Sequence, residues 1–186
     1  EAFGLAGISE TPLVIVEAQR PGPATGLPTR TEQADLLFVL HASQDEFPRF
    51  ILAPGTAREA FYQTIKAFDL AEKYQTPVIF LSDLFLGQRL ETASIKKNVN
   101  RKKCVRKRPT SKQLKNYHRY QITEDGISPL MVPGESGAYY TITGLEHTTK
   151  GTPNYEAEVH QVMTEKRFRK FNTMEKDMPP ADILGD

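Results

Sequence analysis

The sequence predicts an α/β fold built on a parallel sheet, followed by an extended irregular arm and a C-terminal helix. Two observations carry that reading. Three short apolar runs, LVIVEA (Leu13–Ala18), RFILA (Arg49–Ala53) and VIFLS (Val78–Ser82), alternate with helical patterns through short links. Sustained periodicity then stops after Leu86 and returns only at Glu156.

The opening segment EAFGLAGISE reads as the last turns of a helix. LVIVEA is continuous and β-branched, as a buried parallel strand should be. A Gly/Pro-rich loop, Arg20–Arg30, follows it, and TEQADLLFVLHAS then reads as a helix, with Thr29 and Glu32 spaced as a capping box. RFILA is the second strand, broken by Pro54 and Gly55. Thr56 and Glu59 form a second capping box, and Ala60, Phe61, Ile65, Phe68 and Ala71 keep helical spacing to about Tyr74 as one apolar face. Thr76–Pro77 stops this helix before VIFLS. Strand, helix, strand, helix, strand in that order implies right-handed parallel crossovers.

Residues 87–155 are rich in turn formers (EDGISP, VPGESG, GTPN), with one short strand expected at AYYTIT (Ala138–Thr143). A connection this long normally leans on another domain or subunit. From Glu156 a charged helix is expected, with Val159, Val162, Met163, Phe168 and Phe171 in helical rows, ending at Asp177–Pro180. The division is 1–83 for the sheet-bearing part, 84–155 for the arm and 156–186 for the helix and tail. The start at Glu1 without Met, inside a helix, leads us to expect a piece of a longer chain.

Composition narrows the function classes. The chain has 186 residues, 39% hydrophobic and 25% charged, with a single Cys. Cys104 alone excludes an intrachain disulfide, a thiolate zinc cage or an iron–sulfur site made by this chain. No apolar run approaches the roughly 20 residues of a membrane helix, so no membrane partner is expected and a reducing, cytoplasmic setting is the default. The formal charge of +1 conceals an uneven distribution: residues 96–108 (KKNVNRKKCVRKR) hold eight Lys/Arg and no acid, and the remainder is net acidic.

In an open parallel sheet, ligands bind beyond the carboxyl ends of the strands. The Arg20–Arg30 loop stands there, with Arg20 directly after the first strand, glycines at 22 and 26, and Thr25, Thr29 and Arg30 as polar groups. A guanidinium fork matches a carboxylate, so this loop is a candidate anion site, against the plainer reading of a stiff connector with surface ion pairs. His41, His118, His147 and His160 are scattered without metal-ligand spacing, and His41, inside an apolar helix, reads as a core or interface histidine. Ser82–Asp83 lacks a nucleophile elbow, no Gly-rich phosphate loop occurs, and Cys104 among cations reads as a bystander. The basic run, with Tyr117 and Tyr120 nearby, could meet phosphates, but such runs are usually solvated or paired with acids on a neighbouring subunit, and nucleic-acid binding is the weaker reading.

The segment VIVEAQRPGPATGLPTRTEQADLLFVLHASQDEFPRFILAPGTAREAFYQTIKAFDLAEKYQTPVIFLSD resembles one family, the alpha subunits of 2-oxoacid:ferredoxin oxidoreductases, in particular the 2-oxoglutarate type. LFLGQRLET, YQITEDGISP and GAYYTITGLEH resemble the arm that follows, so the likeness covers most of residues 1–95 and 117–175, and the basic run departs from it. The resemblance implies part of a thiamine diphosphate-binding, pyrimidine-domain fold, continuing into the arm. It implies an enzyme that oxidatively decarboxylates a 2-oxoacid to its acyl-coenzyme A, passing electrons to ferredoxin. Thiamine diphosphate, Mg2+ and a 4Fe–4S cluster would belong mainly to a partner beta subunit, with none bound by this chain alone. By position, Arg20 matches the family arginine that binds the substrate carboxylate, and Thr25, Gly26 and Thr29 belong to the same loop; no catalytic residue is assigned. The family's upstream YPITPSS-like segment, its activating glutamate and its following transketolase C-terminal-like domain are not in this sequence, so the isolated chain is expected to be inactive. The alternative from another class is a non-catalytic assembly module whose basic arm docks an acidic partner.

Overall fold

The computed structural model describes residues 1–96 and 106–178. The chain runs through α1 (Ala2–Ile8), β1 (Leu13–Gln19), α2 (Leu36–His41), β2 (Phe50–Leu52), α3 (Ala57–Tyr74), β3 (Pro77–Asp83), α4 (Leu84–Gln88), α5 (Ser111–Leu114), α6 (Ala157–Phe168) and α7 (Phe171–Met174). The three strands form one parallel sheet ordered β1-β3-β2. Central β3 pairs with β1 from Leu13↔Pro77 to Gln19↔Asp83, and with β2 from Phe50↔Val78 to Leu52↔Phe80. All three strand runs and the parallel arrangement match the sequence reading.

The pleat divides β3 between two cores. Val78 and Phe80 pack with Phe50, Leu52, Ala67, Leu70, Ala71 and Tyr74, and this core also receives Ile127 from the arm and Met174 from α7. Ile79 and Leu81 pack on the other side with Val39 of α2, flanked by Phe3 and Ile51. β1 is less covered than its apolar run predicted, with Val16 at 65% exposure, because no described strand lies on its outer side.

Helix α3 starts and stops as its signals require. Thr56 Oγ1 accepts from Glu59 N at 3.1 Å. The Glu59 carboxylate accepts from Gly55 N at 2.8 Å, one residue earlier than a capping box demands. Gln75 ends the helix in the left-handed region, at φ 50°. The buried face differs from the expected one: Ala67, Leu70, Ala71 and Tyr74 are buried, while Phe61 and Phe68 are exposed. The Thr29–Glu32 box does not form. Thr29 takes φ 63°, and α2 begins only at Leu36, because residues 33–35 are tied to the strand ends instead.

The arm is as irregular as expected, with two corrections. No strand forms at Ala138–Thr143. A short helix, α5, appears under a complete Thr110–Gln113 capping box that the sequence reading missed. Most of the basic run, including Cys104, lies outside the described residues. Its end is paired within the chain: Arg106 grips Glu72 with two bonds of 2.6 Å, Lys107 Nζ lies 2.9 Å from Asp125 Oδ2, and Arg108 meets Glu135.

The C-terminal helix is broken into α6, α7 and a 3-10 turn at Glu175–Asp177. Its buried face carries Met163, Lys166 and Arg167, while Val162 and Phe171 are 44% and 46% exposed, against the expected apolar rows. The reason is a buried ionic cluster. Glu10, just ahead of β1, accepts from Lys166 Nζ at 2.5 Å and faces Lys170 Nζ at 2.8 Å. Arg119 of the arm donates to Glu10 O at 2.6 Å and Gln75 Oε1 at 2.8 Å. Gly126, at φ 70°, lets the arm pass α6 closely: a Cβ there would sit 2.3 Å from Lys166 O. The cluster therefore joins the amino-terminal side of the sheet, the arm and α6. Among the described residues, no helix is long and apolar enough to cross a membrane.

Candidate functional site

Parallel strands bring three connections to the carboxyl edge of the sheet: the 20–35 loop after β1, the Pro54–Thr56 turn after β2, and the start of α4 after β3. The first connection is built around Arg20 and Gly26. Arg20 is exposed, and its Nε donates to Thr25 O at 3.0 Å, which curls the loop on itself and leaves the guanidinium end facing solvent. Leu27 N donates to Pro21 O at 3.0 Å across the same curl. Gly26, at φ 53°, makes this approach possible, since a Cβ there would fall 1.8 Å from Pro21 O. Thr25 and Thr29 are exposed on this loop, so all four sequence-predicted residues lie on one loop at the carboxyl edge.

Two glutamines that the sequence reading passed over fix the loop. Buried Gln19 closes its base: Oε1 accepts from Asp35 N at 3.1 Å and Nε2 donates to Ser82 O at 3.3 Å. Gln33 Nε2 donates to Asp83 Oδ2 at 2.5 Å. Asp83 is 6% exposed and caps α4, accepting from Leu86 N at 2.7 Å through Oδ1. The Leu86 N–H and then Gln33 hold the Asp83 carboxyl below the usual carboxylate range, against the opposing effect of burial. A strand-ending Asp ahead of an apolar LFL turn is a readable N-cap signal; its bond to a residue 50 positions away is not.

Beside the loop lies an open cleft of about 350 Å³, lined by Thr29, Arg30, Thr31, Phe85, Gln88 and Arg89, among others. Arg89 is partly engaged there, donating to Gly55 O at 3.0 Å and pairing with Glu91. Glu91 also accepts from Ala57 N at 2.7 Å, so the chain's own carboxylate occupies the start of α3. Larger hollows of about 410 and 620 Å³ border residues 43–47, which precede β2 and lie at the opposite edge of the sheet.

The histidines do not gather. His41 is exposed at the end of α2, not in a core. His147 is buried, with its ring centroid 4.0 Å from that of Tyr120 and Nδ1 2.9 Å from Leu145 O; burial lowers its pKa. His118 Nδ1 meets Thr149 Oγ1 at 2.7 Å, and exposed His160 meets Glu146 at 2.6 Å. Among the described residues, no group of three or more His, Cys, Asp or Glu could hold a metal ion. The arrangement at the carboxyl edge is thus suited to binding an anion, with an arginine fork on a loop pinned at its base and its side.

A family model described as pyruvate flavodoxin/ferredoxin oxidoreductase, thiamine diphosphate-binding, matches residues 1–166. Among curated proteins, the chain is 41% identical to the alpha subunit of 2-oxoacid:ferredoxin oxidoreductase 1 of Sulfurisphaera tokodaii, over 100% of this chain and 30% of the relative. It is 34% identical to the 2-oxoglutarate oxidoreductase subunit KorA of Mycobacterium tuberculosis, over 100% of this chain and 29% of that protein. A solved structure, the 2-oxoglutarate:ferredoxin oxidoreductase from Magnetococcus marinus with 2-oxoglutarate, coenzyme A and succinyl-CoA bound, superposes with a TM-score of 0.79 at 36% identity, over 100% of this chain and 33% of that one. The chain therefore spans about a third of the length of these proteins.

Proposed function

Because the chain belongs to the thiamine diphosphate-binding family of pyruvate flavodoxin/ferredoxin oxidoreductases, we propose that it forms part of the alpha subunit of an enzyme that oxidatively decarboxylates a 2-oxoacid, with 2-oxoglutarate as the preferred substrate. In the overall reaction the 2-oxoacid carboxylate leaves as CO2, the acyl group joins the coenzyme A thiol, and two electrons pass singly to ferredoxin. The observation that carries this reading is Arg20, an exposed fork at the carboxyl end of β1 on a loop shaped by Gly26. Arg20 binds the substrate carboxylate, and Thr25, Gly26 and Thr29 line the approach. The 2-oxoglutarate preference draws support from the named relative and from the ligands of the solved neighbour.

Thiamine diphosphate, when bound, supplies the electron sink for decarboxylation. Among the described residues, no cluster of three or more His, Cys, Asp or Glu offers a cage for a metal ion. We assign the cofactor, Mg2+ and the 4Fe–4S cluster to a partner beta subunit, and the complex to the cytoplasm. This chain's residues bind and orient the 2-oxoacid.

In the same reading, residues 1–83 are the second part of the pyrimidine-binding domain, 84–155 the arm, and 156–186 the helix leading onward. The open side of β1 and the exposed Leu36, Leu37, Phe38 and Leu40 of α2 are the surfaces that the rest of the subunit and its partner would cover. An assembly role for the basic arm draws less support, because Arg106, Lys107 and Arg108 already pair with acids of this chain.

The test is viologen reduction by the full alpha subunit assembled with its beta partner. Turnover should require both the 2-oxoacid and coenzyme A, and this chain alone should give none; robust turnover by the chain alone would overturn the reading. Gly26→Ala in the complex should raise KM for the 2-oxoacid, with a cost of roughly 1–3 kcal/mol from the forced backbone change. An unchanged KM would remove the loop from the site.

A further inference from the structure

The fixing of the 20–35 loop goes beyond the identity of the residue that meets the substrate. An exposed loop of this length would otherwise sample many conformations, and a binding fork that wanders loses both affinity and reactive geometry. Here the two ends of the loop are drawn together by Gln19, whose side chain bridges Asp35 N and Ser82 O. One further side-chain bond, from Gln33 Nε2 to Asp83 Oδ2 at 2.5 Å, ties the far limb of the loop to the end of β3. Asp83 is rigid, because it is buried and its other oxygen caps α4. Because β1 pairs with β3 through Gln19↔Asp83, both ties converge on the same rung of the sheet, directly beside Arg20.

We propose that Gln33 and Asp83 form a latch that positions the Arg20 loop for 2-oxoacid binding, with Gln19 as its hinge-side clamp. They are positioning residues: neither meets the substrate, and each acts through the placement of Arg20. The proposal rests on the reading of Arg20 as the carboxylate-binding group.

The chemistry of the latch suggests a charge-swap test in the assembled alpha–beta complex. Gln33→Glu sets a second carboxylate against Asp83 and should open the latch. Adding Asp83→Asn restores a donor–acceptor pair with the polarity reversed, while the Asn oxygen still accepts from Leu86 N. Gln33→Glu should raise KM for the 2-oxoacid about tenfold, leave KM for coenzyme A unchanged, and speed hydrogen–deuterium exchange across residues 20–35. The double variant should return both readouts close to wild type. A mere loss of stability would move both substrates together and would not be rescued by the swap. An unchanged KM or unchanged exchange in Gln33→Glu, or a defect that persists in the double variant, would overturn the latch. Should the wild-type complex turn over no 2-oxoacid, the functional reading fails by itself, and the exchange measurement still decides whether the latch holds the loop.

Discussion

Arg20→Ala in the assembled complex should lower kcat/KM for the 2-oxoacid by roughly 30-fold to several thousandfold, about 2–5 kcal/mol of lost transition-state binding. The size follows from the setting expected in the complex, where a covered carboxylate loses its cationic partner and stays desolvated. Arg20→Lys should recover only part of the loss, because an ammonium keeps the charge but not the planar fork. The Nε contact to Thr25 O adds a structural share, since the alanine variant also frees the curl of the loop. Steady-state kinetics with the 2-oxoacid varied at saturating coenzyme A measures the effect, and an unchanged kcat/KM would refute the assignment.

The second large effect lies at the other edge of the sheet. Glu10→Ala removes the carboxylate of the ionic cluster and leaves Lys166 and Lys170 buried without an anion, at 0% and 2% exposure. Breaking a buried ion pair from one side costs about 3–5 kcal/mol, so chemical denaturation should show a loss of that order. A loss below about 1 kcal/mol, the range of exposed pairs, would mean that the cluster does not hold the arm to the sheet.

The same cluster makes stability depend on pH at both ends. Burial by itself would raise the Glu10 pKa, but Lys166, Lys170 and Arg119 outweigh it and hold the group far below its ordinary value. Its stabilisation is therefore complete above the ordinary glutamate range and is lost as pH falls below it. Lys166 responds in the opposite sense. Burial lowers it from 10.5 to about 8, with Glu10 opposing and Lys170 and Arg119 reinforcing. Between those values the unfolded chain binds more protons than the folded one, so this group makes stability rise with pH across the window. Lys166→Met should reduce that rise, leaving the share of Lys170, which burial also lowers, and should weaken the acid limb, because Lys166 is the foremost group holding Glu10 down. A variant that kept the full alkaline rise would show that Lys166 does not contribute to it.

The strands and α3 were legible because their signals are local: apolar runs of strand length, a Thr56 cap, and a Thr76–Pro77 stop. The placement of Arg20 was legible for the same reason, since the end of a parallel strand locates the loop that follows it. What escaped the sequence depends on partners distant along the chain. The Lys166–Glu10 bond spans 156 positions, and it turns a charged face of α6 inward where apolar periodicity pointed elsewhere. The Gln33–Asp83 bond spans 50 positions and displaces the start of α2 from the expected capping box. AYYTIT has the composition of a strand, but composition alone does not supply the partner edge that a strand needs, and no strand forms there. Arg106, Lys107 and Arg108 looked like a solvated run until Glu72, Asp125 and Glu135 were seen beside them.

The most direct measurement is product stoichiometry in the assembled complex, with 2-oxoglutarate and coenzyme A as substrates and a one-electron viologen as acceptor. The account predicts succinyl-CoA and reduced viologen in a ratio of one to two, with no acyl-CoA formed when the acceptor is withheld beyond the enzyme's own electron capacity. Acyl-CoA formed without matching reduced acceptor, or neither product from any 2-oxoacid, would contradict it.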